Sequence, residues 1–412
     1  MTKRVVITGV GTVNALANNT ADFWPKLLAG ETGIGRITAF DVSAFKAQIA
    51  GEVKNFSIEN WGIDKKSAKR MARFMQFGLA AALEAVKDSG FAVKAEPEEI
   101  GVMVSSGIGG LDVMEAEHKI LLEQDPSRIS PFLIPMMISD SASGIISIVT
   151  GAKGPNTSVT TACASGTHSV GEAFEWVKRG AVKAMLAGGT EACITPLGLG
   201  GFCAARALCT DSNDHPQNAC RPFDAGRSGF VMGEGAGVVL MEELEHALAR
   251  GAKIYAEVVG YGATGDAYHI TSPALGGEGG VRAIKMALRE ADITADKLDY
   301  INAHGTSTEL NDKYESAAML SVGVDNKVNI SSTKGAVGHC LGAAGGIEAV
   351  VLAKTVETDM IPPTLNYKNP DPECPLNYTP NKAVKRPVNY AMSNSFGFGG
   401  HNAIIIFKKF VR

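Results

Sequence analysis

Three residues have the types and settings that acyl chemistry needs: Cys163, His304 and His339. Cys163 stands in Thr161-Ala162-Cys163-Ala164-Ser165-Gly166, after a β-like run and before an amphipathic stretch through Val170 to Val177. A cysteine at a helix start has its thiolate favoured by the helix dipole and by free backbone N–H groups. Its small neighbours leave room for a substrate. A lone cysteine is more often an inert core thiol, so position and partners must argue for it. His304 opens His304-Gly305-Thr306-Ser307-Thr308 directly after the apolar run Tyr300 to Ala303. His339 lies in the Gly/Ala-rich run from Lys334 to Gly345, where few bulky side chains screen its imidazole.

Other uses of these residue types are weaker. Cys and His also bind metals, but no HExxH or close Cys/His pair occurs. Gly9-Val10-Gly11-Thr12-Val13-Asn14 follows a strand yet lacks the third glycine of a dinucleotide fingerprint, and no GxxxxGK[ST] loop is present. No GxSxG elbow points to an α/β-hydrolase. Near the C-terminus, Gly397-Phe398-Gly399-Gly400-His401-Asn402 precedes the strand Ala403 to Phe407. Such a turn can aim a backbone N–H at a substrate oxygen, as an oxyanion hole does. It reads equally well as a plain tight turn.

The elements that must position these residues occur twice. Val/Ile-rich strands alternate with Ala-rich helices, which makes the class α/β. A helix with Leu79 to Ala85 leads to the strand Ile100 to Val104, which ends in Ser105-Ser106-Gly107-Ile108-Gly109-Gly110. A helix with Ala283 to Ala291 leads to the strand Leu298 to Ala303, which ends at His304. Ser158 to Cys163 reads as a strand entering a helix at Ala164, and Val328 to Lys334 does the same at Gly335. The openings also match: Val5-Val6-Ile7-Thr8-Gly9-Val10-Gly11 against Ala256-Glu257-Val258-Val259-Gly260-Tyr261-Gly262. Two similar α/β halves follow, residues 1–250 and 251–412, divided after a helical Glu242 to Arg250. Sites in such sheets lie at carboxyl ends of strands, which places Cys163, His304 and Lys334 there.

Composition narrows the function classes. A chain of 412 residues suits two packed halves, and 20% charged with 45% hydrophobic residues suits a globular enzyme. The net charge of -4 gives no reason to expect nucleic-acid binding. Seven irregularly spaced cysteines with no CxxC argue against a disulfide framework. The apolar run after Met1-Thr2-Lys3-Arg4 is too short for a signal core or a membrane span. A cytoplasmic location without membrane insertion is expected.

Together these segments resemble the β-ketoacyl-acyl-carrier-protein synthases, condensing enzymes of the thiolase superfamily, and among them the elongating type II synthases of bacterial fatty-acid synthesis. The likeness runs from end to end. It is carried by Thr161 to Gly166, Asn302 to Thr308, Ser332-Thr333-Lys334 through His339, and Ser393 to Asn402. Arg221-Pro222-Phe223-Asp224 and Gly229 to Gly237 add to it. The resemblance implies a thiolase-like fold in a layered αβαβα architecture, a homodimer through the first half, and acyl carrier protein as partner. No cofactor is implied. Cys163 is then the acyl-accepting nucleophile, His304 and His339 act at the malonyl thioester, and Lys334 supports the electrostatics near His339. Phe398 matches the gating residue whose N–H joins that of Cys163 in the oxyanion hole. Ile108 matches a position at the dimer-side end of the acyl tunnel. Phe202, Thr306, Thr308 and Gly399 complete the expected substrate-binding set.

The carrier is acidic in this family, which suits the basic run Lys65, Lys66, Lys69, Arg70 and Arg73, with Arg206 a further candidate. By looser analogy, Asn302, Glu348, Ser393 and Asn394 could line a small cation site, although no catalytic metal is expected. Two places depart from the family pattern. Glu309-Leu310-Asn311 replaces the usual Pro and small residue before Asp312 and Glu315, and His401 stands where many members have Thr. The His–His pair implies elongation, since priming members have His and Asn there. A polyketide ketosynthase shares every catalytic residue and stays open, as does, less readily, a non-enzymatic chain-length partner.

Overall fold

The structure is a computed structural model that describes residues 2–411. Its frame is one nine-stranded sheet with the strands β1 (Val5–Val13), β2 (Ile100–Ser105), β3 (Ala184–Glu191), β4 (Gly235–Glu243), β5 (Ala256–Gly265), β6 (Tyr300–Asn302), β7 (Asn329–Ser331), β8 (Tyr390–Gly397) and β9 (His401–Lys408). The spatial order is β7-β6-β8-β9-β5-β1-β4-β3-β2. Strands β1, β2 and β3 are buried at every position, which is why they read as near-continuous apolar runs rather than alternating ones.

The doubled pattern is visible in that order. Outward from the middle, the first half runs β1, β4, β3, β2, and the second runs β5, β9, β8, β6, β7. The two runs meet where β1 pairs antiparallel with β5, Val5 opposite Val258 and Ile7 opposite Ala256. The first half lacks a counterpart of β7. Ser158 to Cys163, expected as a strand, is an irregular segment outside β2, and only Val102 and Asn156 form a bridge there. Val102 N–H donates to Pro155 O and Thr157 N–H donates to Val102 O, but the Ser143 hydroxyl then accepts from Val104 N–H at 2.8 Å and sits against the Val104 and Thr157 carbonyls, so the next rung toward Ser158 does not form. The expected helix from Glu242 also starts later: Glu242 and Glu243 end β4, and the helix spans Leu244–Ala249.

Five helices cover the sheet: α1 (Arg73–Ser89), α2 (Ser165–Lys178), α3 (Glu278–Glu290), α4 (Glu309–Ser321) and α5 (Ala344–Thr358). Helix α1 packs on β1, β3 and β4, and α3 packs on β5 and β9. Helices α2 and α5 pack against each other and touch strands of both halves, so they form the middle layer. Helix α5 is buried at twelve of its positions, from Ala344 to Val356, which explains its lack of polar periodicity. Among the described residues, no helix is long and apolar enough to cross a membrane.

The matching Gly-x-Gly pairs now have a physical reason. A Cβ on Gly9 or Gly11 would lie 2.2 or 2.1 Å from the carbonyls of Ala85 or Ala81 on α1. On Gly260 or Gly262 it would lie 2.4 or 2.1 Å from those of Ala287 or Ala283 on α3. Each Ala-rich helix therefore rests directly on strand backbone, and only glycine permits that approach. Gly11→Ala or Gly262→Ala is expected to cost about 1–3 kcal/mol by overpacking and to lower the thermal midpoint. Gly201→Ala, where no atom lies within 4 Å of the added carbon, should leave the midpoint unchanged or raise it. Equal midpoints for all three would refute the close-packing account.

Candidate active site

Cys163 sits on a tight turn, Ala162–Ala164, that leads straight into α2. The Ser165 hydroxyl donates to Ala162 O at 2.7 Å and accepts from Thr161 N–H at 2.9 Å, which cinches the turn. Ala162 takes a left-handed φ of 51°, a strained conformation of the kind found where a side chain must be aimed. Gly397, at the tip of the β8–β9 hairpin, reaches this turn. A Cβ there would lie 2.7 Å from Thr161 O and 3.3 Å from Cys163 N. The approach brings the Phe398 N–H and the Cys163 N–H to the same sulfur, where both favour its anion.

Burial nevertheless dominates the thiol. It pushes Cys163 up to about 12, against the pull of Lys334 and the two N–H groups. The helix-start effect expected from the sequence is present but does not leave a resting thiolate at neutral pH.

His304 follows β6, and His339 follows the short helix Lys334–Val337. Their rings meet edge to face with centroids 5.3 Å apart. Phe396 flanks His304 at 5.8 Å and Phe230 flanks His339 at 5.3 Å. Both Nδ1 atoms are sealed from solvent without a partner. Burial and the nearby Lys334 charge hold both imidazoles well below the usual histidine range, so they are neutral N–H donors near pH 7. His339 is pinned by first-half backbone: its N–H donates to Val231 O at 2.7 Å, and its carbonyl accepts from Gly233 at 2.9 Å. His304 is pinned by Glu315 on α4, which accepts from His304 and Gly305 N–H at 2.8 Å each.

Lys334 and Glu348 form a fully buried ion pair at 2.6 Å. The other Glu348 oxygen has no partner, nor have the side chains of Asn302 and Ser393 or the Asn394 carbonyl oxygen. Ser393 lies opposite Asn302 across β8 and β6, so these two side chains share a face of the sheet, whereas the next residue, Asn394, turns to the other face and donates its Nδ2 to Glu315 at 3.0 Å. The mostly oxygen donor set of Asn302, Ser393 and Glu348 fits a small hard cation. Among the described residues, no three His, Cys, Asp or Glu side chains cluster in a way that could hold a metal.

A cavity of about 390 Å³ joins the parts. Cys163, His304, His339 and Phe398 line it, with Phe202, Thr306 and Thr308 from the expected substrate set. Ile108 and Gly399 do not. Ile108 is 38% exposed in the single chain, and Gly399 turns its N–H to Ile270 O at 2.7 Å. Arg206 is exposed at the cavity mouth. Lys65, Lys66, Lys69 and Arg70 are exposed around a short helix, Lys65–Ala68, and none lines the cavity. Arg73 leaves the basic run: Glu234 and Val53 O occupy its guanidinium. His401 packs its ring under Gly399, 6.4 Å from His168, and stays outside the cavity.

Several residues of the site carry no sequence motif. Arg227 lines the cavity and holds the Thr308 and Glu309 carbonyls. Glu191, at the buried end of β3, clamps the Gly107 loop. The one visible signal for Glu191 was an acid closing an apolar strand.

Known proteins share this arrangement. A family profile described as Beta-ketoacyl synthase, N-terminal domain, matches residues 2–247, and its C-terminal counterpart matches residues 255–368. A 3-oxoacyl-[acyl-carrier-protein] synthase 2 of Staphylococcus aureus is 51% identical over 411 residues, covering 99% of both chains. One from Synechocystis is 50% identical over 411 residues, 99% of this chain and 98% of that one. Among solved structures, a type II polyketide ketosynthase in complex with its acyl-carrier protein aligns with a TM-score of 0.92 at 32% identity over the whole of both chains. The layered frame is thus the thiolase-like fold of ketosynthases, and the chain belongs to the β-ketoacyl synthase family.

Proposed function

We propose that the protein is a 3-oxoacyl-[acyl-carrier-protein] synthase of fatty-acid elongation. It condenses an acyl group held on Cys163 with malonyl carrier, giving 3-oxoacyl carrier and carbon dioxide. The observation that carries this reading is one cavity with a helix-start thiol on one side and two neutral imidazoles on the other. The 51% identity to a 3-oxoacyl-[acyl-carrier-protein] synthase 2, against 32% to a polyketide ketosynthase, favours the fatty-acid substrate.

The chemistry runs in two stages. Cys163 sulfur attacks the acyl-carrier thioester, and its proton leaves as the carrier thiol departs. The oxyanion of that step is met by the Cys163 and Phe398 N–H groups. Malonyl carrier then loses carbon dioxide, and the electron pair of the broken bond moves into its thioester carbonyl. His304 and His339 donate to the oxygen that becomes negative. Neutral imidazoles suit this step, because they bring donors without a competing acid. The enolate carbon attacks acyl-Cys163, the tetrahedral centre collapses, and Cys163 thiolate leaves and takes up a proton. Lys334 keeps a positive charge near these transient anions. A small cation held by Asn302, Glu348 and Ser393 would fix Glu348 and, through it, Lys334.

The working unit is proposed as a cytoplasmic homodimer of chains divided near residue 250. Two features support a second copy of the chain as the occupant of one face. Leu122, Ile134 and Ile148 expose 71%, 58% and 77% of their surface on neighbouring helices of the first half. Beside them β2 ends the sheet, with only the Asn156 bridge outside it. Exposed apolar side chains next to an open edge mark an association surface. The acyl carrier is proposed to dock at the mouth through Arg206, aided by Lys65, Lys66, Lys69 and Arg70.

Cys163→Ala should take up no acyl group by intact-protein mass. Cys163→Gln should release carbon dioxide from malonyl carrier without condensing it. That release should stay level from about pH 8 to pH 6, since both histidines are already neutral and their depressed pKa values lie below this window. A fall centred near pH 6.5 would mean that one imidazole takes up a proton, against the donor roles. The pair Lys65→Glu and Lys69→Glu should raise the carrier KM several-fold at low salt and flatten its salt dependence; unchanged kinetics would remove them from the docking surface. Sedimentation velocity should give a dimer, and the double variant Ile134→Asp, Ile148→Asp a monomer. A dimer that survives this change must form elsewhere.

A further inference from the structure

Glu191 is fully buried beside Cys163, yet none of the steps above uses it. Its two oxygens collect four donors. Oε1 accepts from the Ser106 hydroxyl at 2.7 Å and from Ile108 N–H at 3.3 Å. Oε2 accepts from Gly107 N–H at 2.9 Å and from Gly342 N–H at 3.0 Å. Ser106, Gly107 and Ile108 belong to the loop after β2 in the first half. Gly342 belongs to the turn after His339 in the second. One carboxylate therefore joins loops that are remote in the chain.

The donor set defines the form that fits. Three of the four donors are backbone N–H groups, which can only donate. A carboxylic acid would turn its O–H toward one of them unless it found the Ser106 hydroxyl, so the carboxylate matches the site. An ionised group with no water around it is tolerated only where donors converge in this way. Burial pushes Glu191 upward and these same bonds pull it back.

The packing around it is equally specific. A Cβ on Gly342 would lie 2.3 Å from Gly107 N and 2.8 Å from Glu191 Oε2, and one on Gly107 would lie 2.9 Å from the same oxygen. The two loops thus meet backbone to backbone. Leu341, just before Gly342, is held at a left-handed φ of 47° and lines the cavity with His339 and Cys163. A leucine keeps that conformation only where its surroundings impose it.

We propose that Glu191 is a positioning residue that ties the Ser106–Ile108 loop to the Leu341–Gly342 turn and so sets the spacing between the acyl side of the site and His339. This role rests on the ketosynthase reading. With Ile108 at the dimer-side end of the acyl tunnel, as the family resemblance implies, a chain long enough to reach past the cavity loads the same carboxylate that holds the turn beside His339. The clamp therefore bears on which acyl lengths condense, not on how the malonyl carrier binds.

The test compares the full-length wild type with Glu191→Gln and Ser106→Ala. Gln keeps the shape, but its amide N–H₂ must face at least one N–H donor, so one or two of the three backbone bonds are lost and the clamp is loosened. Ser106→Ala removes one donor and keeps the charge. Acyl-Cys163 formation is read by intact mass with acyl carriers of increasing length, and condensation by product analysis with malonyl carrier. Glu191→Gln should lower the condensation kcat about 10- to 100-fold, as expected for a displaced reacting group. The KM for malonyl carrier should change by less than about threefold, the range of an untouched binding surface. The acyl-length profile should broaden, and Ser106→Ala should move kcat and profile the same way by a smaller factor. A Glu191→Gln enzyme with wild-type kcat and profile overturns the clamp. So does a loss shared equally by kcat and KM. Should Glu191→Gln fail to fold, wild-type behaviour of Ser106→Ala overturns it instead. If the wild type itself forms no acyl-Cys163, the ketosynthase reading fails and the clamp with it.

Discussion

The site depends on one buried ion pair. Lys334 and Glu348 meet at 2.6 Å with almost no exposure, and the Lys334 charge acts on Cys163, His304 and His339. It discourages a proton on His304 and His339, and it favours the thiolate of Cys163. Burial pushes the histidines the same way and the thiol the opposite way. The imidazoles are therefore firmly neutral, whereas the thiol is pulled both ways and rests protonated. A pair this deep would lose much of its worth to desolvation if stability were its only use. Here its field has work to do at three side chains.

That field is useful only if the two halves bring their residues to one seam. The first half supplies the Cys163 thiol, and the second supplies both imidazoles and the hairpin that carries Phe398. Glycine makes the approach possible wherever backbone meets backbone. Gly397 closes on the Cys163 turn, and Gly342 closes on the Gly107 loop. A side chain at either place would push the halves apart by more than a hydrogen bond tolerates. The doubled strand order matters for the same reason, because it delivers equivalent strand ends to both sides of the middle helices.

The sequence revealed those parts of this arrangement that depend on neighbours along the chain. Cys163 stood between a β-like run and a helix, and His304 stood just after an apolar strand. The doubled elements were legible because each repeats a local pattern. What escaped was set by contacts between distant segments. Arg73 read as part of a basic face, but Glu234, far along the chain, captures it. Ser158 to Cys163 read as a strand from its own residues, yet the Ser143 hydroxyl occupies the Val104 N–H and C=O that would have carried the ladder on from the Val102–Asn156 bridge. Glu191 and Arg227 gave almost no local signal, since their roles lie in the loops they hold. Ile108 and Gly399 do not line the cavity of the single chain; the position expected for Ile108 is at the dimer side, where a second copy would complete its surroundings.

The division of labour between the halves limits how such a site can change. In the proposed reaction each half alone would leave an incomplete site: a thiol without donors for the enolate, or donors without an acyl group to attack. Among the groups that join them beside the site are Glu191, between the two loops, and the Val231 and Gly233 backbone against His339. Substrate range can vary at the periphery, through Phe202, Leu310 or the cavity mouth, without moving these joints. A change at a joint shifts reacting atoms relative to one another, and a displacement of about 1 Å at that point can cost on the order of a hundredfold in rate. The constraint on the chemistry is thus concentrated in the seam, in residues that touch no substrate atom and bear no motif of their own.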